Sequence, residues 1–346
     1  MIRKFVHIGY PKNFSTSLQY DFFAKHPELF HLGVGPGLAY ADPLVDATFE
    51  VYLKSCKGLK YHEVEPKLRH HFSSLIETAE RSGKKALTVS SEHLCFAFSN
   101  DSIGFDQKME RLADLLGSDT HILLIIRNQA DLIKSLYRES VRVGYPGDFA
   151  SYAYLLYKYQ DRNYCYDIRY DLVMEILERY FRRENIHLSI FEQMRDASGR
   201  LIMKEGRVGL IQELCGLMGI SYMETEFGHY NEALPEATVV EMARLNKEFR
   251  HDLGNILYDT AEKHRMKHYL FDELQLPEPE EELYGDVRTK RMLVAKSGEL
   301  AGDAKIDYRV RPDIAAALKA FYEKGNAALA EKYNLTLPAQ YFDLRF

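Results

Sequence analysis

The chain has 346 residues, 46% of them apolar and 28% charged, with a formal net charge of −6. That length and apolar content can bury a full core in one large domain or two modest ones, and a single domain over 1–346 is expected. The acidic balance, with no basic run long enough to follow a phosphate backbone, excludes a general nucleic-acid binder, so an anionic ligand has to be met locally.

Four short apolar runs read as buried strands: Phe5 to Ile8, Ala86 to Ser90, His121 to Ile126 and Ile186 to Phe191. Their continuity, without polar alternation, is what a parallel sheet covered on both faces requires. Helical stripes lie between them, such as Leu68, Phe72, Leu75, Ile76 and Ala79, and then Leu132, Ile133, Leu136, Tyr137 and Val141. This βαβα alternation predicts a three-layer α/β/α fold with a central parallel sheet, whose ligands sit beyond the carboxyl ends of the strands. After about residue 205 the strand signals stop. Helices are expected over Val208 to Met218, Glu236 to Leu253 and Pro312 to Tyr333, giving a helical C-terminal part. The charged stretch before the last helix reads as an insertion or lid over 265–310.

The cysteines, Cys56, Cys95, Cys165 and Cys215, lie far apart with no C-x-x-C pair. That usage fits a reduced compartment without structural zinc, and predicts buried small hydrophobes. No stretch approaches the ~18 apolar residues of a transmembrane segment, and the short apolar run before Pro11 does not make a signal peptide, so a cytoplasmic protein is expected.

The chemistry concentrates in VHIGYPKNFSTSLQ, Val6 to Gln19. The strand ends at Gly9, Pro11 forces an extended turn, and a helix begins near Ser15 or Thr16. Free N–H groups at such a helix start bind an anion, and Lys12 with the hydroxyls of Ser15, Thr16 and Ser17 would complete a phosphate cradle. Thr16 and Gln19 also fit a T-x-x-Q capping box, which would leave Lys12 merely exposed. The segment alone leaves both readings open. It is not a Walker A loop, since Lys12 lies between Pro11 and Asn13 and not between a glycine and a Ser/Thr.

This stretch resembles the P-K-x-G-T-T-x-L loop with which sulfotransferases hold the 5′-phosphosulfate of 3′-phosphoadenosine 5′-phosphosulfate (PAPS). Phe14 stands where that loop has glycine, so backbone freedom is lost and a ring needs a place. A second segment, HILLIIRNQADLIKSLYRESVRVG, sets Arg127 at a strand end and Ser135 eight residues later, about two helical turns into the next helix. It resembles the family's 3′-phosphate motif, in which Arg supplies a fixed fork of donors for an oxyanion. Alone, such an arginine is more often a surface ion-pair partner. Here two anion motifs follow in the family's order and spacing.

The third element, TVSSEHLCF, delivers Glu92 and His93 to the same edge of the sheet. Neighbours in an extended chain point to opposite faces, so one of the two would face an acceptor. Glu92 is preferred as base, because S-S-E-h-L resembles the bacterial and glycan-directed branch; His93 is the reserve. The bland reading has Glu92 capping or pairing with Lys12 and His93 packed in the wall. More broadly, the segments from Tyr170 through Glu192 and around Asn231 resemble bacterial sulfotransferase scaffolding, and Lys296 to Lys305 resembles the K-G-x-x-G-D loop that closes over the nucleotide.

The resemblance implies a P-loop-like sulfotransferase fold and PAPS-dependent, metal-independent transfer to an acceptor hydroxyl, on a carbohydrate or glycolipid. It assigns Lys12, Asn13, Phe14, Ser15, Thr16, Ser17, Arg127 and Ser135 to the co-substrate, and Lys12, Glu92 and His93 to the chemistry. Two other classes compete. A P-loop-type nucleotide kinase would need glycine before the lysine and a strand-terminal acid for Mg²⁺, where this chain has Arg127. A non-catalytic nucleotide-binding module would make Phe14 the mark of a degenerate loop.

Overall fold

The computed structural model describes residues 2–36, 39–96, 103–142, 144–196, 198–228, 230, 233–248 and 287–346. The chain divides into two compact units interleaved in sequence: Met1–Phe96, Ser102–Arg127 and Tyr170–Tyr230 form one, and Ala97–Asp101, Asn128–Arg169 and Asn231–Phe346 the other.

The first unit is built on five parallel strands, β1 (Arg3–His7), β2 (Leu29–His31), β3 (Ala86–Ser90), β4 (His121–Ile126) and β5 (Ile186–Ile190). They lie in the order β2-β3-β1-β4-β5. The expected α/β/α class with a central parallel sheet is therefore the observed one. Both faces are covered. On one, Phe5, Leu123 and Ile125 pack against Leu18, Phe22 and Phe23 of the opening helix and against Leu210, Leu214 and Met218 of α8 (Gly209–Met218). On the other, Val6, Leu87, Val89, Ile122 and Leu124 are equally buried, in the layer where α3 (Gly58–Arg81), α4 (Phe105–Leu116) and α7 (Tyr170–Tyr180) pack side by side. The chain passes from β1 to β2 and β3 on one side, then crosses to β4 and β5 on the other. That reversal makes the carboxyl ends of β1 and β4 a topological switch point, where open α/β sheets bind ligands.

The second unit is helical: α5 (Gln129–Arg142), α6 (Phe149–Lys158), α9 (Glu236–Glu248), α10 (Val287–Leu300) and α11 (Pro312–Tyr333). Its core absorbs much of the aromatic composition. Tyr137, Tyr145, Phe149 and Tyr152 meet edge to face, and Tyr322 donates to the carbonyl of Cys165 at 3.1 Å. Buried amides tie its helices together, as where Asn326 Nδ2 donates to Gln129 Oε1 at 3.0 Å.

Several boundaries differ from expectation. β2 is a strand that the sequence pattern does not announce. Lys296 to Leu300 is the end of α10 and not a loop, while Leu253, the 265–286 part of 265–310 and Asn231 lie outside the described residues. All four cysteines are free and buried, as expected. No described helix is long and apolar enough to cross a membrane.

Burial inside the first unit has a measurable consequence for stability. His7, His31 and His187 each have a pKa lowered from 6.5 to about 4: burial disfavours the charged ring, with a further contribution from His31 at His7 and from His121 at His187. As pH falls from 6.5 toward 4, the unfolded chain therefore binds more protons than the fold, and stability falls, by up to about 1.4 kcal/mol per pH unit for each such histidine. A carboxylate such as Glu28, held at about 2 by Lys85, adds its own loss of stability only as pH falls through about 4.5 and below. Urea denaturation should show stability dropping between pH 6.5 and 4.5, with a shallower slope in His187→Gln. A pH-independent free energy over that range would contradict the assignment.

Candidate functional site

Three strand ends meet at the switch point. Ile8 N–H donates to the Leu123 carbonyl and Ser91 N–H to the His7 carbonyl, each at 3.0 Å, so the chain leaving β1 runs between the ends of β4 and β3. The segment Gly9 to Phe14, after β1, thus lies between the strand that delivers Arg127 and the strand that delivers Glu92 and His93.

The loop takes a strained course. Lys12 has φ 66° and Phe14 φ 73°, two side-chain-bearing residues in the left-handed region. Each costs roughly 1–3 kcal/mol, and such strain persists only where surrounding structure over-determines it. Left-handed residues within a turn direct successive N–H groups to one side, the arrangement of an anion nest. Asn13, fully buried, supplies one restraint, its Nδ2 donating to the Ile125 carbonyl of β4 at 2.9 Å. Ser15 supplies another, its hydroxyl donating to the Tyr10 carbonyl at 3.1 Å. α1 (Ser15–Ser17) follows, running on as π-helix over Leu18–Phe23. Its N-cap is Phe14, with no side-chain cap bond, and Gln19 Nε2 donates inward to Ser90 Oγ at 2.9 Å. The capping-box alternative for Thr16 and Gln19 is thereby replaced by a buried anchor on β3.

Phe14 occupies the glycine conformation and its ring finds a place. It lies edge-on to Phe227, with centroids 4.7 Å apart. The segment carrying Phe227 is held by Asp21, whose carboxylate accepts from Gly228 N–H and the Tyr230 hydroxyl, each at 2.9 Å, and pairs with Lys25 at 2.7 Å.

Arg127 reaches the loop directly. Its Nη1 donates to the Lys12 carbonyl at 3.1 Å, and its own carbonyl accepts the Tyr170 hydroxyl at 2.6 Å. Its Cζ sits 4.9 Å from the Phe191 ring centroid. A residue not foreseen from sequence joins it: Arg195, after β5, has its Cζ 5.1 Å from Phe191 and 5.3 Å from Phe14. Burial, and then the charge of Arg127, hold the Arg195 pKa below its usual value. Its only sequence signal is a basic residue directly following FEQM.

At the end of β3 the chain turns at once into a 3₁₀ stretch, Glu92–Leu94, so the opposite-face rule of an extended strand does not govern these neighbours. His93 is buried, its Nε2 3.7 Å from Glu50 Oε2, and its carbonyl accepts Lys108 Nζ at 2.7 Å. Glu92 is half-buried. Ser135 belongs to the second unit, in the second turn of α5, whose start is capped by Asn128 Oδ1 accepting from Asp131 N–H at 3.1 Å. Thr16 and Ser17 are half-exposed on α1. Among the described residues no group of three or more His, Cys, Asp or Glu side chains could hold a metal ion.

Gly9 is required by contact and not by an unusual φ. A Cβ there would lie 2.4 Å from His7 Nε2 and 3.1 Å from Ser15 Oγ. The ring cannot swing away, because His7 is buried and its Nδ1 is hydrogen-bonded to Ser90 Oγ at 2.8 Å. Gly9→Ala should destabilise the fold by roughly 1–3 kcal/mol through overpacking. The check is thermal and urea unfolding; an unchanged midpoint would mean that the loop base is looser than these distances.

No family model matches the chain, and no curated protein matches it. Among solved structures, the crystal structure of a sulfotransferase from Alicyclobacillus acidocaldarius is similar at 16% identity, over 84% of this chain and 99% of that one, with a TM-score of 0.43.

Proposed function

We propose that the chain is a PAPS-dependent sulfotransferase that moves the sulfuryl group to an acceptor hydroxyl. The observation that carries this is the hydrogen bond from Arg127 to the Lys12 carbonyl. Lys12 and Arg127, one from each of the two motifs that the resemblance assigns to an anion, thereby meet at the switch point of a parallel sheet, which supports this reading. The 5′-phosphosulfate end goes to Lys12, Asn13, Phe14 and the Ser15, Thr16 and Ser17 hydroxyls. The 3′-phosphate goes to Arg127, with Ser135 as the hydroxyl that the resemblance assigns to the same group.

Sulfuryl transfer, like phosphoryl transfer, asks mainly for positioning and for stabilisation of charge on the leaving oxygen. Lys12 takes the second task, offsetting the charge that builds on adenosine 3′,5′-bisphosphate. Glu92 takes the acceptor proton. His93 is the less suited base, since it is buried against Glu50 with its backbone held by Lys108. The acceptor is a carbohydrate or glycolipid hydroxyl, on the likeness of S-S-E-H-L to the glycan-directed branch. The reaction belongs in the cytoplasm, in keeping with four free, buried cysteines.

Turnover of labelled PAPS against a glycan panel tests the activity, and it should survive chelation, because no step draws on a metal. Loss in EDTA restored by Mg²⁺ would contradict the assignment. Glu92→Gln should lower kcat by at least ~10²-fold with little change in nucleotide affinity, and His93→Ala should be milder. The reverse ranking would move the base to His93.

Removing the 3′-phosphate should weaken binding at least about tenfold, since a charge-assisted hydrogen bond is worth roughly 1.5–3 kcal/mol. Calorimetric titration of adenosine 3′,5′-bisphosphate against adenosine 5′-monophosphate should show that preference in the wild type and its loss in Arg127→Ala. Equal affinities in the wild type would reduce the Arg127 to Ser135 spacing to coincidence.

A further inference from the structure

Arg195 extends this site beyond the residues that the motifs name. Two guanidinium groups share the Phe191 ring, Arg127 at 4.9 Å and Arg195 at 5.1 Å, and Arg195 also stacks on Phe14 at 5.3 Å. Phe227, Phe14, Arg195, Phe191 and Arg127 thus form a chain of alternating rings and cations that ends on the Lys12 carbonyl. The charge of Arg127 is felt at Arg195, and an anion between or beside the two guanidinium groups would relieve that repulsion. Among the described residues neither arginine pairs with a carboxylate: Arg127 donates to the Lys12 carbonyl and Arg195 Nη1 to the Gly199 carbonyl. Arg195 Nε is moreover buried with no hydrogen-bond partner, a donor whose presence calls for an explanation.

We propose that Arg195 and Arg127 form a paired-guanidinium site for a phosphate dianion, the 3′-phosphate of the nucleotide, and that Phe14 is the platform that aims Arg195 at it. The inference rests on the nucleotide reading above and adds to it a specificity residue outside the resemblance. A phosphate monoester carries close to two negative charges at neutral pH, which two guanidinium groups match and one does not. It also gives a reason for an aromatic residue in the left-handed position where glycine is easier. The ring stacks under Arg195, as a planar guanidinium favours and an ammonium does not.

The test is calorimetric titration of the full chain with adenosine 3′,5′-bisphosphate and with adenosine 5′-monophosphate, in the wild type and in Arg195→Gln, Arg195→Lys and Phe14→Leu, each checked for folding by circular dichroism. Arg195→Gln should lose at least about tenfold in affinity for the bisphosphate with little change for the monophosphate. Arg195→Lys, which keeps charge but not the fork, and Phe14→Leu, which removes the aromatic platform, should each lose part of that preference. A full bisphosphate preference retained in Arg195→Gln, or in Arg195→Lys if the former does not fold, would overturn this inference and leave the nucleotide reading standing. Wild-type chain that binds neither nucleotide would overturn both.

Discussion

A loop held in a left-handed course by residues that carry side chains is the constraint from which the rest of the site follows. Lys12 and Phe14 adopt backbone angles that glycine would accept freely. Two restraints come from outside the loop, Asn13 on the Ile125 carbonyl and Arg127 on the Lys12 carbonyl, and one is local, Ser15 on the Tyr10 carbonyl. Each of the first two anchors belongs to β4 or its end, so the loop's shape is a product of the β1–β4 pairing. Beneath it, the buried set His7, Ser90 and Gln19 fixes the opening helix to β3. The loop is thus held from both neighbouring strands, which is how a strained conformation becomes a rigid one.

Charge is distributed to suit. The protein as a whole is acidic, with a net charge of −6, yet Lys12, Arg127 and Arg195 gather at one edge of one sheet. An acidic exterior disfavours polyanions such as nucleic acid, while a local cationic cluster in partly buried surroundings favours a small multiply charged anion. The aromatic rings of Phe14 and Phe191 hold the arginines in place without neutralising them. A carboxylate partner would hold them as firmly but would consume the charge that a ligand needs.

The sheet was largely legible, because buried parallel strands are continuous apolar runs: Ala86 to Ser90 and His121 to Ile126 match their observed bounds, and the other two run over by one residue at the carboxyl end, with Arg3 and Lys4 added to β1. β2 was not, since Leu-Phe-His is too short to carry a pattern. In the site, motif spacing led to Lys12 and Arg127, and the fold joins them. Gln19 was misleading: its position after Thr16 imitates a cap, and only the pairing of β1 with β3 brings Ser90 within its reach. Arg195 had no periodicity or motif to mark it, and its relation to Phe14 exists only once β5 stands beside β4. The Phe14 substitution itself was the usable clue, a ring without an assigned neighbour.

The most direct measurement is a crystal structure of the chain with adenosine 3′,5′-bisphosphate. The 5′-phosphate should rest on the N–H groups of the Lys12 to Ser17 loop, and a 3′-phosphate oxygen should lie within hydrogen-bond reach of both Arg127 and Arg195. A nucleotide bound elsewhere, or one whose 3′-phosphate turns to solvent while the loop remains empty, would contradict the assignment of this edge as the co-substrate site.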